Sequence, residues 1–207
     1  MTRRKRPVDK VRASRDGHEY HEAWTARKAM QLLGPDSGMI GIAVEGLSPT
    51  DQAGTSAEVA EVADIAVYYG SRPNFERASR TSIVQFKYSI ADKNSDFRAS
   101  HAKKTIAKFA TTYKSFKTKY GTRAVHVKLD FELVTNRPIY KPLLDAIGAL
   151  AKGVPPTGEA AKQAAQFRSA SGLDGKGQGR GSARRNQARL QPSRSAPGGT
   201  FNDRGRR

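Results

Sequence analysis

The sequence predicts an α/β domain in which helices cover the faces of a central sheet, and three observations lead there. Two segments, around 20–33 and 102–120, repeat apolar residues at steps near three and four, the period of an amphipathic helix. Four others, near 39–45, 62–69, 81–88 and 124–135, read as strands, most clearly where apolar and polar residues alternate. Their order along the chain is helix, strand, strand, strand, helix, strand, helix, and a sheet with helices on its faces is the natural packing of that order.

Each element has its own local signal. Asp16 can cap a helix whose apolar positions are Tyr20, Ala23, Trp24, Ala26, Met30 and Leu33, and Gly34-Pro35-Asp36 stops it. In the first strand Ile40, Ile42 and Val44 alternate with Gly41, Ala43 and Glu45. Residues 46–57 are rich in turn formers and read as a loop. The second strand spans about Val62 to Tyr69 and the third about Thr81 to Tyr88. The break from Gly70 to Asn74 makes them antiparallel neighbours. After a loop at 91–98, the helix at about 100–119 carries the stripe Ala102, Ile106, Phe109, Tyr113, Phe116 and Tyr120, which reads as core, as does Trp24 of the first helix. Lys103, Lys104, Lys108, Lys114, Lys117 and Lys119 occupy much of its remaining surface, as a solvated face or as phosphate contacts. Gly121 ends it. The fourth strand, Ala124 to Thr135, alternates Val125, Val127, Leu129, Phe131 and Leu133 with His126, Lys128, Asp130, Glu132 and Val134. A shorter helix follows at about 139–151, and residues 157–169 have the weak pattern of one more, within a linker over 152–176.

Charge is concentrated at the ends. Of 207 residues, 37 are Lys or Arg and 19 are Asp or Glu, for a net charge of +18. Residues 1–15 contribute +6 and residues 177–207 contribute +7, leaving only +5 for the stretch between. The first segment reads as a flexible basic arm ahead of a domain at 16–151. The last has only Leu190 and Phe201 as large apolar residues, too few to offset its ordering entropy, and is expected to lack structure. Its Arg, Gly, Ala, Pro and Ser also fit an out-of-frame translation of a GC-rich gene, in which case the chain is a fragment of a longer protein. Basic ends favour a polyanionic partner, DNA or RNA, through phosphate contacts and counterion release. No run of about 18 apolar residues occurs, so no transmembrane helix and no membrane partner are expected. The basic start leads into no apolar segment of the secretory kind. With no cysteine, disulfides, thiolate metal sites and cysteine nucleophiles are excluded, which fits the cytoplasm.

The residues that suggest chemistry lie on the strands. Period two puts Gln85 and Lys87 on one face of the third strand, ~7 Å apart, while Val84, Phe86 and Tyr88 take the other face and pack on a helix. Polar groups in so apolar a strand need partners, because burying them unpaired is costly. Asp64 enters the second strand and Glu45 ends the first. If these strands are neighbours, Glu45, Asp64, Gln85 and Lys87 converge at one edge of the sheet. Asp64 and Glu45 are hard oxygen ligands suited to Mg²⁺, and Lys87 suits the orientation of a water or charge growing on a phosphate. Gln85 offers a neutral carbonyl oxygen for positioning metal or water.

Gln-x-Lys alone is common on exposed strand faces, and its bland meaning is a solvated face with incidental charges. Taken with Asp64 and Glu45, the pattern resembles the PD-(D/E)XK nuclease signature in its Gln-x-Lys variant, and the element order resembles the restriction-endonuclease-like core with a central mixed sheet. The opening Gly17, His18, Glu19, Tyr20, His21, the pair Val44-Glu45 and the run Gln85-Phe86-Lys87-Tyr88 are similar to a narrower group. This is the double-strand DNA endonuclease domain at the N-termini of bacterial anti-phage effectors of the CBASS and STAND types. There it is usually fused to a sensor module, either a cyclic-nucleotide receptor or an oligomerising ATPase. The resemblance covers roughly residues 16–137, and up to 151 at most. It implies Mg²⁺-dependent hydrolysis of double-stranded DNA, with Mn²⁺ as a substitute, little sequence specificity, and a cytoplasmic, antiviral role. It also implies Asp64 as principal metal ligand, Glu45 as second acid, and Gln85 and Lys87 as the strand pair, with Gln85 where the wider family often has a carboxylate. No sensor module is recognisable after residue 151, so the trigger, and a homo-oligomer that such a module would assemble, fall outside the recognised region.

The remaining polar residues have plainer meanings. His18 and His21 are three apart, unlike a metalloprotease His-Glu-x-x-His, and read as surface or supporting histidines. Glu19 and Glu22 fit an ordinary polar helix face, and His101 and His126 have no evident local partner. The competing functional expectations are a non-catalytic basic protein that binds nucleic acid and an inactive, truncated fragment of a larger effector.

Overall fold

The structure is a computed structural model that describes residues 7–172, apart from 54 and 61, together with residues 189–192. Helix α1 (Pro7–Ala29) continues into a 3₁₀ turn, Met30–Leu33, and leads to β1 (Met39–Val44). Short helices α2 (Pro49–Gln52) and α3 (Ala57–Ala60) precede β2 (Ile65–Gly70) and β3 (Ala78–Lys87). Then come α4 (Ala99–Tyr120), α5 (Thr122–Lys128), β4 (Leu129–Thr135), α6 (Lys141–Ala151) and α7 (Gly158–Ser171). A four-residue strand, β5 (Arg189–Pro192), lies parallel to β4 at the sheet edge. The architecture is therefore α/β, a mixed sheet flanked by helices.

The sheet order is β1-β2-β3-β4-β5. β1–β2 and β2–β3 are antiparallel, the latter as the turn residues between those two strands lead one to expect, and β3–β4 is parallel. A parallel pair needs a long crossover, and α4 with α5 supplies it. Gly70 sits at φ +110° where β2 turns toward β3, and a Cβ there would meet the Ser79 nitrogen at 2.8 Å.

Alternation along the strands divides the core into two layers. Ile65, Val67, Val84, Phe86 and Val134 face one way, against Tyr20 and Trp24 of α1. Ala66, Tyr68 and Ile83 face the other way, in a cluster with Phe116 and Leu129 that Phe109 and Tyr113 of α4 complete. A third cluster joins Leu133 and Ile106 to Leu143 of α6 and Phe167 of α7. Gln163 of α7 is buried and its side-chain oxygen accepts the Ala99 N–H at 3.1 Å, satisfying one of the unpaired donors at the start of α4.

Several expectations need correction. Helix α1 starts at Pro7, so residues 7–15 are helical rather than a flexible arm; proline suits a first turn, where its missing N–H costs nothing. Met30 and Leu33 do not join the core: at 64% and 78% exposure they lie on the 3₁₀ turn that breaks the helical phase. Residues 46–57 contain α2 and the start of α3, and Asp51 of α2 is fully buried, accepting the Phe75 N–H at 3.0 Å and the Tyr120 hydroxyl at 3.2 Å. Residues 122–128 are helical, so β4 is only the second half of the expected strand. The alternation there fails on burial, with Val125 buried and Val127 73% exposed. In the parallel register Leu129 is opposite Thr81, where the β3–β4 pairing begins. Four residues of the tail expected to lack structure form β5, and 173–188 and 193–207 lie outside the described residues.

Candidate functional site

The register brings three of the four sequence candidates into one row. Val44 is opposite Ile65, and Ile65 is opposite Val84. One step further along each strand places Glu45 beside Asp64 and Asp64 beside Gln85. The Glu45 N–H donates to the Asp64 carbonyl at 2.7 Å, and the Asp64 N–H donates to the Val84 carbonyl at 3.0 Å. Beyond this point the β2–β3 ladder is continued by a side chain, because the Asp64 Oδ2 accepts the Phe86 N–H. The carboxylate thus stands in for a backbone carbonyl where the strands diverge, and this bond holds it at the carboxyl end of β3. The hydrogen bonds described for this carboxylate engage Oδ2 and leave Oδ1 for another ligand.

Gln85 and Lys87 share the α4 face, as their spacing predicts. Gln85 is 7% exposed and its Oε1 accepts from the hydroxyl of Thr105, itself fully buried, at 2.9 Å. The amide therefore keeps its NH₂ and one oxygen lone pair free for the strand end. Lys87 is half-buried, and its ammonium is held below the usual lysine range, chiefly by desolvation. The Asp64 carboxylate opposes that shift, while Lys108 and Lys104 of α4 add to it as like charges. Lys87 is thus placed next to Asp64 and primed to give up a proton more readily than an ordinary lysine.

Helix α1 supplies a residue to which the sequence assigned no more than a supporting part. His21 is tilted on Phe86, with ring centroids 4.7 Å apart, while Tyr20 stacks on Tyr88 at 4.7 Å. Burial lowers the His21 pKa, Asp64 raises it, and His18 and Lys87 lower it further. His21 therefore belongs to the same electrostatic cluster as Asp64 and Lys87. A histidine placed three residues before Trp24 on a packed helix face was the available signal. Glu45, in contrast, is exposed, and it is the single non-glycine residue with positive φ, 55°, among the described residues. It stands at the rim of the site, where its side chain can swing toward a ligand.

The loop leaving Lys87 is tied to the end of β4. Asn136 accepts the Ser89 N–H at 3.1 Å and donates to the Ser89 carbonyl at 3.0 Å. Arg137 is buried and donates to the Ser95 and Asp96 carbonyls at 2.9 and 2.7 Å. The histidines given no partner from sequence both have one. His101 Nδ1 accepts the Arg98 N–H at 2.9 Å, and His126 meets the Tyr113 hydroxyl at 2.6 Å.

The donors brought together here are oxygens without sulfur, a set that suits a hard cation better than a soft one. Among the described residues no group of three or more His, Asp or Glu gathers at one point, and of the two carboxylates in this row Asp64 is the one whose side chain a described hydrogen bond holds. Mg²⁺ fits such a site, since it is often bound through one or two carboxylates and otherwise keeps water or takes phosphate oxygens. An open concavity of about 690 Å³ lies at the opposite end of these strands, between Leu32, Met39, Tyr69 and Arg80, and shares no residue with the site. No protein-family model matches the chain, and no curated protein matches it. Among the described residues no helix is long and apolar enough to cross a membrane.

Proposed function

We infer that the chain is a metal-dependent endonuclease acting on double-stranded DNA with little sequence specificity, built on a restriction-endonuclease-like core. The observation that carries this reading is the juxtaposition of an anchored carboxylate, Asp64, with a half-buried lysine, Lys87, at the end of β3. Asp64 with Oδ1, the Gln85 carbonyl and, from the rim, Glu45 are the residues to hold Mg²⁺ or Mn²⁺. Such an ion supplies charge neutralisation at the phosphate and a lowered pKa for bound water.

The chain's own groups do the rest. Lys87, with its proton loosened by desolvation, accepts a hydrogen bond or proton from the attacking water when neutral, and neutralises charge on the phosphate when cationic. The Asp64 charge favours the cationic form of that lysine, and the Thr105 hydroxyl fixes the Gln85 amide oxygen. His21 packs on Phe86 at the α1 side of the cluster, where the Asp64 charge reaches it. Phosphate contacts without base-reading elements account for low sequence specificity. A cytoplasmic role in antiviral defence, under a sensor module outside residues 16–151, follows from the sequence resemblance.

The test is cleavage of plasmid and linear DNA with Mg²⁺, with EDTA and Lys87→Ala as controls. Cutting by the wild type that vanishes in both controls supports the nuclease. A second reading, a non-catalytic binder, is favoured by the lack of a three-ligand acidic cluster among the described residues. It predicts salt-sensitive DNA binding with no cutting by the wild type.

A further inference from the structure

Helix α4 has a charge distribution that its fold does not require. Its 22 residues include six lysines and no acid. The ion pairs described in the protein join Arg80 to Asp130, Lys141 to Asp145 and Lys162 to Glu159, so no α4 lysine has an acidic partner among the described residues. Lys104 and Lys108 are four apart, a spacing at which like charges weaken a helix. A solvated face needs no such one-signed set; a polyanion does.

Helical geometry sorts these lysines into two groups. At 3.6 residues per turn, Lys104, Lys108, Thr111 and Ser115 fall in one narrow stripe at steps of four, three and four. Lys119 falls at the edge of that stripe, but its Nζ donates to the Ala53 carbonyl at 2.8 Å, and Lys103, Lys114 and Lys117 lie about a quarter turn or more away. Lys104, Lys108, Thr111 and Ser115 are all at least partly exposed. The stripe begins at the site, because Thr105, next to Lys104, bonds Gln85 across the α4–β3 contact. Lys104 and Lys108 are also the two like charges felt by Lys87.

We propose that the Lys104–Lys108–Thr111–Ser115 stripe is the track along which one DNA strand lies as it approaches the end of β3. Ammonium and hydroxyl donors contact phosphate oxygens and carry no base information, which suits a substrate of any sequence. From Lys104 to Ser115 the helix rises ~16 Å at about 1.5 Å per residue. That matches roughly five phosphates of one strand at ~3.4 Å of duplex axis each. What lies at the end of the track rests on the nuclease reading; the binding itself does not.

The test measures binding of the full chain to a duplex of arbitrary sequence, in EDTA, across a range of salt concentrations. Lys104→Gln/Lys108→Gln is compared with Lys114→Gln/Lys117→Gln, which removes the same charge from the other group. Each lost phosphate contact flattens the log–log salt slope by ~0.9. The stripe pair is therefore expected to flatten it by about 1.8, and the other pair by less than about 0.5. Equal flattening by both pairs would mean that net charge alone binds DNA, and no flattening by the stripe pair would remove the track; either result overturns the proposal. Because the assay contains no divalent metal, failure of the wild type to cut DNA with Mg²⁺ sinks the nuclease and leaves this result standing.

Discussion

Thr105→Val tests whether α4 holds the site together through Gln85. Valine matches threonine in shape, so the substitution removes one hydroxyl and little else. The hydroxyl it removes is the donor to Gln85 Oε1 at 2.9 Å, in a pair where Gln85 is 7% and Thr105 0% exposed. At this depth of burial, the amide oxygen that loses its donor bears a desolvation cost of about 1–3 kcal/mol. For a domain of this size each 1 kcal/mol moves the melting temperature by roughly 2–4 °C. Urea unfolding gives the free energy directly. Gln85→Met/Thr105→Val removes both polar partners and should recover much of the loss, a coupling of at least about 0.5 kcal/mol. A Thr105→Val protein within about 0.5 kcal/mol of wild type, or a double variant no better than the sum of the singles, would refute the buried bond.

Lys87→Met should abolish cleavage yet melt at or above the wild-type temperature, because a half-buried ammonium is a cost to the fold; an unfolded variant would contradict this. Asp51→Ala removes the acceptor for Phe75 and Tyr120 from a fully buried position and should cost about 3 kcal/mol or more by urea unfolding, with any small loss counting against it. Gly70→Ala forces a Cβ into a strained φ and against Ser79, and should cost about 1–3 kcal/mol by the same measure. His101 should make stability pH-dependent. Burial first, then the Arg137 guanidinium, lowers its pKa, so the folded chain resists the proton that the unfolded chain takes up near pH 6.5. Below that pH the wild type loses stability that His101→Asn retains, and melting curves from pH 7.5 to 5 that run parallel for the two proteins would exclude the effect.

Much of the architecture was legible because one-dimensional patterns have three-dimensional periods. Ile106, Phe109, Tyr113 and Phe116 recur at steps that only a helix brings to one face, and Val84 and Phe86 alternate with Gln85 and Lys87 as only a strand requires. Those patterns placed α4 and β3 and put Gln85 and Lys87 on a shared face. They failed where a segment satisfies two periods at once. Residues 124–129 read as strand by alternation, yet Val125 and Leu129, four apart, also suit a helix, and it is these two that the core buries while Val127 stays exposed. Residues 7–15 carried no apolar period, and helix continued through them all the same.

The sequence by itself determined residue types: an oxygen-only donor set, no thiol, a lysine two positions from a glutamine, and a helix with six lysines and no acid. Only the tertiary structure decided which of these meet. Strand register set Glu45, Asp64 and Gln85 in a row, the end of the β2–β3 ladder gave Asp64 its anchor, and the α4–β3 contact brought Thr105 to Gln85 and Lys104 and Lys108 toward Lys87. Local periods report which face a residue takes within its own element. The contacts between elements depend on register, crossover and burial, which couple positions about 20 and more residues apart and leave no local mark in the chain.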